Sequence, residues 1–350
     1  MADGNAARTR RRPDGPTDPE TAWTTTLAAA RAAVSPAVEG GRLFVPVDAV
    51  SEAARHRYRV HALSAATGEE HWRVPLRSKP NGPPAARGSR VAVTARLALD
   101  RGRVVAFDAD SGDEDWLADV DARLTATPTL DDDGVVYVPD WRGRVHAFRL
   151  STGDEQWTRT VGDSDTDRAF ARPAAVADGT VYLGSQSGET GVVALDAATG
   201  EEQWPAPPPA VTGGPVARDR GVVVQCHQLL VALAPDGTRR WSFNVPDETA
   251  GPLAADDRHV YVPGRNAVYA ADWRGAKAWV FGPEDDRAGT PTVAGDEVLV
   301  RGAGALTALD AASGEERWTT ATDVGRGRAA VTPDAVFLAA GGEVTALGEQ

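Results

Sequence analysis

Short apolar runs rich in β-branched and aromatic residues recur along this chain, bounded by Gly, Asp and Pro, and read as strands. Eight of them form one series: LFVPV, VAVTA, VVYVPD, TVYLGS, VVVQC, HVYVPG, EVLVRG and AVFLAA. A second series of eight alternates with it: RVHAL, RVVAF, RVHAF, GVVAL, LLVAL, AVYAA, ALTAL and EVTAL. A shorter piece precedes each pair, usually with a proline ahead of a branched apolar residue, around Pro36, Pro84, Pro128, Pro173, Pro215, Pro252, Pro291 and Ala330. After the second series comes a turn ending in Gly, a few polar residues and a Trp. The fullest copy is VVALDAATGEEQW, ending at Trp204.

Related copies end at Trp72, Trp116, Trp157, Trp241, Trp279 and Trp318, spaced 44, 41, 47, 37, 38 and 39 residues along the series. A period near forty with four strands per unit predicts a ring of β-sheets, since one unit is too short to bury its own apolar face. The first three pieces count to eight. The fourth, the Trp strand, follows only seven of them, because the chain stops at Gln350 just after EVTAL. An orphan copy, ETAWTTTL around Trp23, stands at the opposite end. The expected fold is therefore all-β: an eight-bladed β-propeller of four-stranded antiparallel blades, the last blade closed by the N-terminal strand, which leaves no blade without its outer strand. Residues 1–19 read as a disordered polar tail and 20–350 as the propeller.

The turn has a physical logic. Ala106, Ala194 and Ala308 let neighbouring sheets approach. Asp108, Asp196 and Asp310 bond nearby backbone N–H groups, and Gly112, Gly153, Gly200 and Gly314 take the positive φ that a tight turn requires. The tryptophans, Trp23 included, are expected to lie flat between blades. Burying about 150–250 Å² of each is worth about 4–6 kcal/mol gross, an upper estimate.

These phrases resemble the tryptophan-docking motif A-x-D-x-x-T-G-x-x-x-W of the pyrroloquinoline-quinone (PQQ) repeat superfamily. Ala194, Asp196, Thr199, Gly200 and Trp204 match every specified position. Two further copies carry Ser111 or Ser313 for Thr, and others carry Ser64 or Arg149 for Asp. The units ending at Trp241 and Trp279 match poorly. The resemblance spans about 20–350 and implies the propeller fold. For function it implies two branches: quinoprotein dehydrogenases, with calcium held by Glu, Asn and Asp, a catalytic Asp and a disulfide of adjacent cysteines, and non-catalytic, BamB-like scaffolds. The single cysteine, Cys226, excludes that disulfide. The expectation is the BamB-like branch, without PQQ or calcium and without enzymatic activity.

Composition narrows the classes further. The net charge is -13, and Lys79 and Lys277 are the only lysines among 37 basic residues, a balance that suits solubility in concentrated salt. No basic stripe offers itself to phosphates, so nucleic acid is not an expected partner. No apolar run is long enough to span a bilayer. The Arg8, Arg10, Arg11 and Arg12 cluster lacks the apolar stretch of an export signal, so the chain as written reads as cytoplasmic, or as exported or cell-surface if its start is misassigned.

Local chemistry is sparse. Asp163, Asp165 and Asp167 alternate like a calcium loop, but Arg168 and Ala174 stand where Gly and Glu are required, so a solvated acidic loop is expected. Cys226 and His227, inside VVVQCHQLL, read as a buried thiol beside a satisfied histidine. Recognition is expected on the loops that do not repeat, among them 48–58, 140–144, 163–172, 185–191, 205–214 and 282–289, which share one face of a propeller. The residues singled out there are His56, Arg57, Tyr58, Trp141, Arg142, Arg168, Phe170, Arg172, Gln186 and Arg265, with Trp141 and Phe170 as exposed aromatics beside Arg. The expected function is a monomeric scaffold for a protein partner. The alternative is a quinone- or small-molecule-binding propeller that uses the central funnel.

Overall fold

In a computed structural model, the structure describes residues 19–27, 30–33, 35–49, 58–161, 170–186, 190–206, 210–249, 251–282, 289–302, 304–322 and 328–348. The proposed tail at 1–19 lies outside these except for Pro19. The apolar runs become antiparallel sheets, and in all but the eighth the strands lie in the order in which they occur in the chain. Blade 3 shows the pattern: inner strand Thr129–Leu130, then Val135–Pro139, Arg144–Arg149 and outer strand Glu155–Thr160. Blades 4 to 7 repeat it, and blades 1 and 2 add one short strand each, Ala30–Ala33 and Lys79–Pro80. The two middle strands are buried on both faces, because each blade is covered by a neighbour on either side, so the runs read as continuously apolar. Outer strands alternate exposed and half-buried positions.

The eighth blade is built from both ends of the chain. Ala330–Val331, Ala335–Ala340 and Glu343–Gly348 supply three strands, and Glu20–Thr26 supplies the outer one. Its register is that of every other outer strand. Trp23 pairs with Ala346 next to a bulge, as Trp116 pairs with Ala106 and Trp204 with Ala194. The inner strand of blade 8 also touches that of blade 1, Ala37–Glu39, which completes the ring at the hub.

The docking phrase works between blades. Trp72 of blade 1 donates its indole N–H to the Ala109 carbonyl of blade 2 at 3.0 Å. Trp116, Trp157, Trp204, Trp241 and Trp279 each bond the next blade's turn in the same way, at 2.6–3.1 Å. Trp23 carries the series over the seam to Ala65 of blade 1, at 3.1 Å. The acceptor expected for Trp318, residue 349, lies outside the described residues.

Seven of these indoles, all but Trp318, also lie against the turn glycine of the next blade. A Cβ at Gly112 would stand 2.7 Å from Trp72 Cδ2, and Gly68 meets Trp23 as closely. The glycine therefore answers two demands, a positive φ of 78° at Gly112 and space for a ring. The Gly and Trp of one phrase serve opposite neighbours. Burial is uneven: Trp72, Trp157, Trp279 and Trp318 are buried, whereas Trp23, Trp116, Trp204 and Trp241 are half-buried. Trp204, which carries the best-matching motif, is thus not the most deeply docked.

Strand aromatics reinforce the wedges. Tyr261 packs 5.5 Å from Trp279, ring centre to ring centre, and Tyr137 packs 5.8 Å from Trp157. Both hydroxyls donate to a carboxylate at the base of their own blade, Tyr137 to Asp131 at 2.7 Å and Tyr261 to Asp256 at 2.6 Å. Burial, with these carboxylates beside them, raises both phenol pKa values well above the ordinary range.

Candidate functional site

Two sets of loops meet on one face of the ring: those joining the second and third strands of a blade, and those running from an outer strand into the next blade. At the centre of this face lies a cavity of about 640 Å³. Its wall comes from the segments that enter the inner strands of blades 2 to 6, at 81–83, 171–173, 212–216 and 251–255, with Thr125 and Thr127. These segments recur as a small or polar residue followed by Pro. Proline holds its predecessor in extended backbone, which directs these residues around the hub instead of into a helix or a tight turn.

Gln225 and His227 project from the hairpin of Gly221–Cys226 and Leu229–Leu233. His227 is exposed at its tip with φ of 56°, so it is a turn residue and not a histidine satisfied within a strand. Its backbone N–H donates to Thr212 Oγ1 at 2.8 Å, and Gln225 Nε2 donates to Thr249 Oγ1, which ties the hairpin to two neighbouring segments. Arg328 enters from blade 8 and donates to the Leu253 carbonyl at 2.9 Å. Asp and Glu are absent from the described wall, as are Phe, Tyr and Trp. It therefore lacks both the carboxylate donors of the calcium site implied by the dehydrogenase resemblance and an aromatic face on which a planar quinone would stack.

The ten residues singled out from sequence do not form one cluster. His56, Arg57 and Arg168 lie outside the described residues, as do Asp163, Asp165 and Asp167. Of the other seven, only Arg172 lines the cavity. Gln186 and Arg265 are exposed on the loops of blades 4 and 6, and Arg265 pairs with Glu248 at 3.5 Å. Tyr58 is half-buried against the blade 1 core.

Phe170 corrects the expectation of an exposed aromatic. It is 0 % exposed, packed between blades 3 and 4 with Val145, Val161 and Leu183. Its ring fills an apolar gap that an entering loop leaves between two sheets. Phe170→Ala is accordingly expected to cost about 3–5 kcal/mol of stability, read as a lower urea midpoint; a midpoint within error of wild type would remove Phe170 from the core. Trp141 is half-buried. Its indole donates to Thr125 Oγ1 at 2.6 Å and its ring lies 4.2 Å from the Arg123 guanidinium carbon. Arg142 beside it stays exposed and pairs with Asp121 at 2.9 Å.

Asp140, missed as a side chain of interest, organises that loop. It is fully buried and accepts from the backbone N–H of Arg142 and Arg144, from Arg144 Nε at 2.8 Å and from His146 Nε2 at 3.1 Å. Burial pushes its pKa up, but the bonds from His146 and Arg144 outweigh that and hold it below the usual carboxylate range. The signal in the sequence was Asp four residues ahead of Arg144 across Gly143, the spacing of a side chain that braces its own turn.

Cys226 is buried beneath the hairpin, and burial pushes its thiol up to about 11. Thiolate is the reactive form, so Ellman's reagent at pH 8 is expected to leave the native thiol unmodified and to titrate one thiol in urea. Rapid labelling of the native protein would contradict this burial. Among the described residues no three of His, Cys, Asp and Glu gather as a metal-ligating group, and no helix is long and apolar enough to cross a membrane.

Comparison with known proteins follows the same lines. The family described as outer membrane protein assembly factor BamB matches residues 15–233 and 226–350. No curated protein matches. Among solved structures, BamB from Moraxella catarrhalis is similar with a TM-score of 0.70 at 17% identity, over 95% of this chain and 98% of that one. The computationally designed Ika8 protein gives a TM-score of 0.77 at 13% identity, over 94% and 100%. The quinohemoprotein alcohol dehydrogenase from Comamonas testosteroni gives 0.71 at 16% identity, over 95% of this chain but 77% of that one. At these identities the structural likeness is one of fold.

Proposed function

The chain belongs to the family of the outer membrane protein assembly factor BamB, and from that premise we propose that it is a non-enzymatic scaffold whose variable-loop face recruits a protein partner. The observation that carries this reading is the division of labour between the two faces. The turns carrying Ala65, Ala109 and Ala197 are consumed in holding tryptophans of adjacent blades. The loops of the opposite face, with exposed Arg142, Arg172, Gln186 and Arg265, are free of that duty. A rigid ring that presents divergent loops is a common basis for recognition, and an exposed guanidinium beside Trp141 suits a partner surface.

Absence of a quinone cofactor is part of the proposal. The described wall around the cavity holds no carboxylate for calcium and no aromatic face, which supports it. Titration with PQQ and calcium, followed by absorbance and melting, is expected to give neither a stoichiometric quinone spectrum nor a shift in melting temperature. Either result would overturn the non-enzymatic reading. For the face itself, the experiment is partner recovery by crosslinking in concentrated salt, wild type against the double variant Trp141→Ala, Arg142→Ala. Recovery is expected to fall several-fold for the variant. Equal recovery would move the partner site away from blade 3.

A further inference from the structure

The funnel is built for something more specific than a loop platform. We propose that it is a binding site for an aliphatic carboxylate, seated against Arg172, with hydrogen bonds from Asn81 and Thr127 and to Gln225. This is independent of whether the surrounding face recruits a protein.

Charge is the first observation. In a protein of net charge -13, the described wall of the cavity holds two arginines and a histidine and no carboxylate. Low-dielectric walls of one sign concentrate ions of the other. Arg172 is exposed into this space and makes no ion pair with a described residue, while Arg328 is committed to the Leu253 carbonyl. A planar guanidinium left available in a concave site suits the two oxygens of a carboxylate.

Hydrogen bonding is the second observation. Thr127 and Gln225 line the cavity at 7% and 4% exposure, yet Thr127 Oγ1 and Gln225 Oε1 find no partner, and neither does Asn81 Nδ2 on the same wall. A buried polar atom left unpaired costs about 1–3 kcal/mol, so three around one cavity point to groups supplied by a ligand. Asn81 Nδ2 and the Thr127 hydroxyl are donors, matching carboxylate oxygens. Gln225 Oε1 is an acceptor only, matching an O–H or N–H on the same ligand.

Shape sets the class. Without an aromatic ring in the described wall, nothing favours a flat conjugated ligand, whereas Thr, Pro and Gly suit short aliphatic carbon. Two sources carry this chemistry: a free hydroxy- or polycarboxylic acid, and the C-terminal residue of a polypeptide, which joins a carboxylate to an amide N–H.

The experiment is calorimetric titration and thermal melting with three probes: citrate, acetyl-Ala-Thr-Ala with a free C-terminus, and the same peptide amidated. Citrate or the acid peptide is expected to bind and raise the melting temperature, with the amide at least about tenfold weaker than the acid. Arg172→Gln is expected to weaken binding about tenfold or more while its own unliganded melt stays at the wild-type value, because Arg172 bonds no described residue. His227→Asn, which keeps a residue tolerant of positive φ, serves as the second variant and is expected to weaken binding less. Preference for citrate assigns the site to a free acid, and preference for the acid peptide to a chain terminus. Absence of binding by both acids, or binding that Arg172→Gln leaves intact, overturns the proposal. Neither result bears on partner recovery through Trp141 and Arg142.

Discussion

Removal of residues 1–27 is expected to destabilise the whole ring by about 5 kcal/mol or more, read as a large drop in urea midpoint. Truncating one buried Trp alone costs about 3–5 kcal/mol, and the deletion removes far more than Trp23. Glu20–Thr26 forms a complete ladder with Glu343–Gly348. Thr25 Oγ1 donates to the Gly68 carbonyl at 2.8 Å, Leu27 N–H to the Gly342 carbonyl at 2.7 Å, and Thr320 Oγ1 to the Pro19 carbonyl at 3.0 Å. One strand therefore holds blades 1, 7 and 8 together. Its loss also exposes the edge of Glu343–Gly348, a template for pairing with other chains, so light scattering should rise alongside the fall in midpoint. An unchanged midpoint would mean that the ring closes without this strand.

The second large effect comes from a pair of glycines. Gly112 and Gly134 have almost the same backbone, φ of 78° and 79°. Left-handed geometry costs a residue with a Cβ about 1–2 kcal/mol, so strain alone predicts equal penalties for Ala at either site. Their surroundings differ. A Cβ at Gly134 meets nothing within 4 Å, whereas at Gly112 it stands 2.7 Å from the Trp72 ring. Overpacking adds about 1–3 kcal/mol. Gly112→Ala is thus expected to cost about 2–5 kcal/mol and Gly134→Ala about 1–2 kcal/mol, measured by urea unfolding of the two single variants. Adding Trp72→Ala to Gly112→Ala should then cost less than the sum of the two. Equal penalties in the single variants would mean that the glycine serves the turn alone.

The fold was legible because its determinants are local and repeated. Strand periodicity, turn glycines and tryptophan spacing each recur, and the orphan strand around Trp23 could be assigned by counting. What the phrase does was only half legible. Positive φ at Gly112 follows from the turn, but its contact with Trp72 joins residues of different repeats, and no single copy shows it. The funnel was less legible still. Asn81, Thr127 and Arg172 lie far apart in sequence and meet because each stands one or two residues ahead of a proline in a segment entering an inner strand. The prolines read as strand markers, and of the residues around them only Arg172 stands out from the sequence, as a surface arginine and not as part of a funnel wall. Phe170 failed for a related reason: an aromatic beside arginines in a non-repeating loop looks exposed until the loop is seen to plug a gap between sheets.

The N-terminal strand also has a consequence in time. Thr24 and Thr345 face each other across 321 positions of chain, so Glu20–Thr26 is synthesised long before the strand that it pairs with. Blades 1 to 7 are each built from their own contiguous strands and can form in order as synthesis proceeds. Glu20–Thr26 must wait, unpaired, until Glu343–Gly348 has been made to receive it. Closure of such distant contacts is slow, and the waiting strand is short and threonine-rich, with little apolar surface to drive premature pairing. The slow step in making this protein is therefore expected to be a single late event, and until it occurs the ring is a nearly finished arc with two open ends.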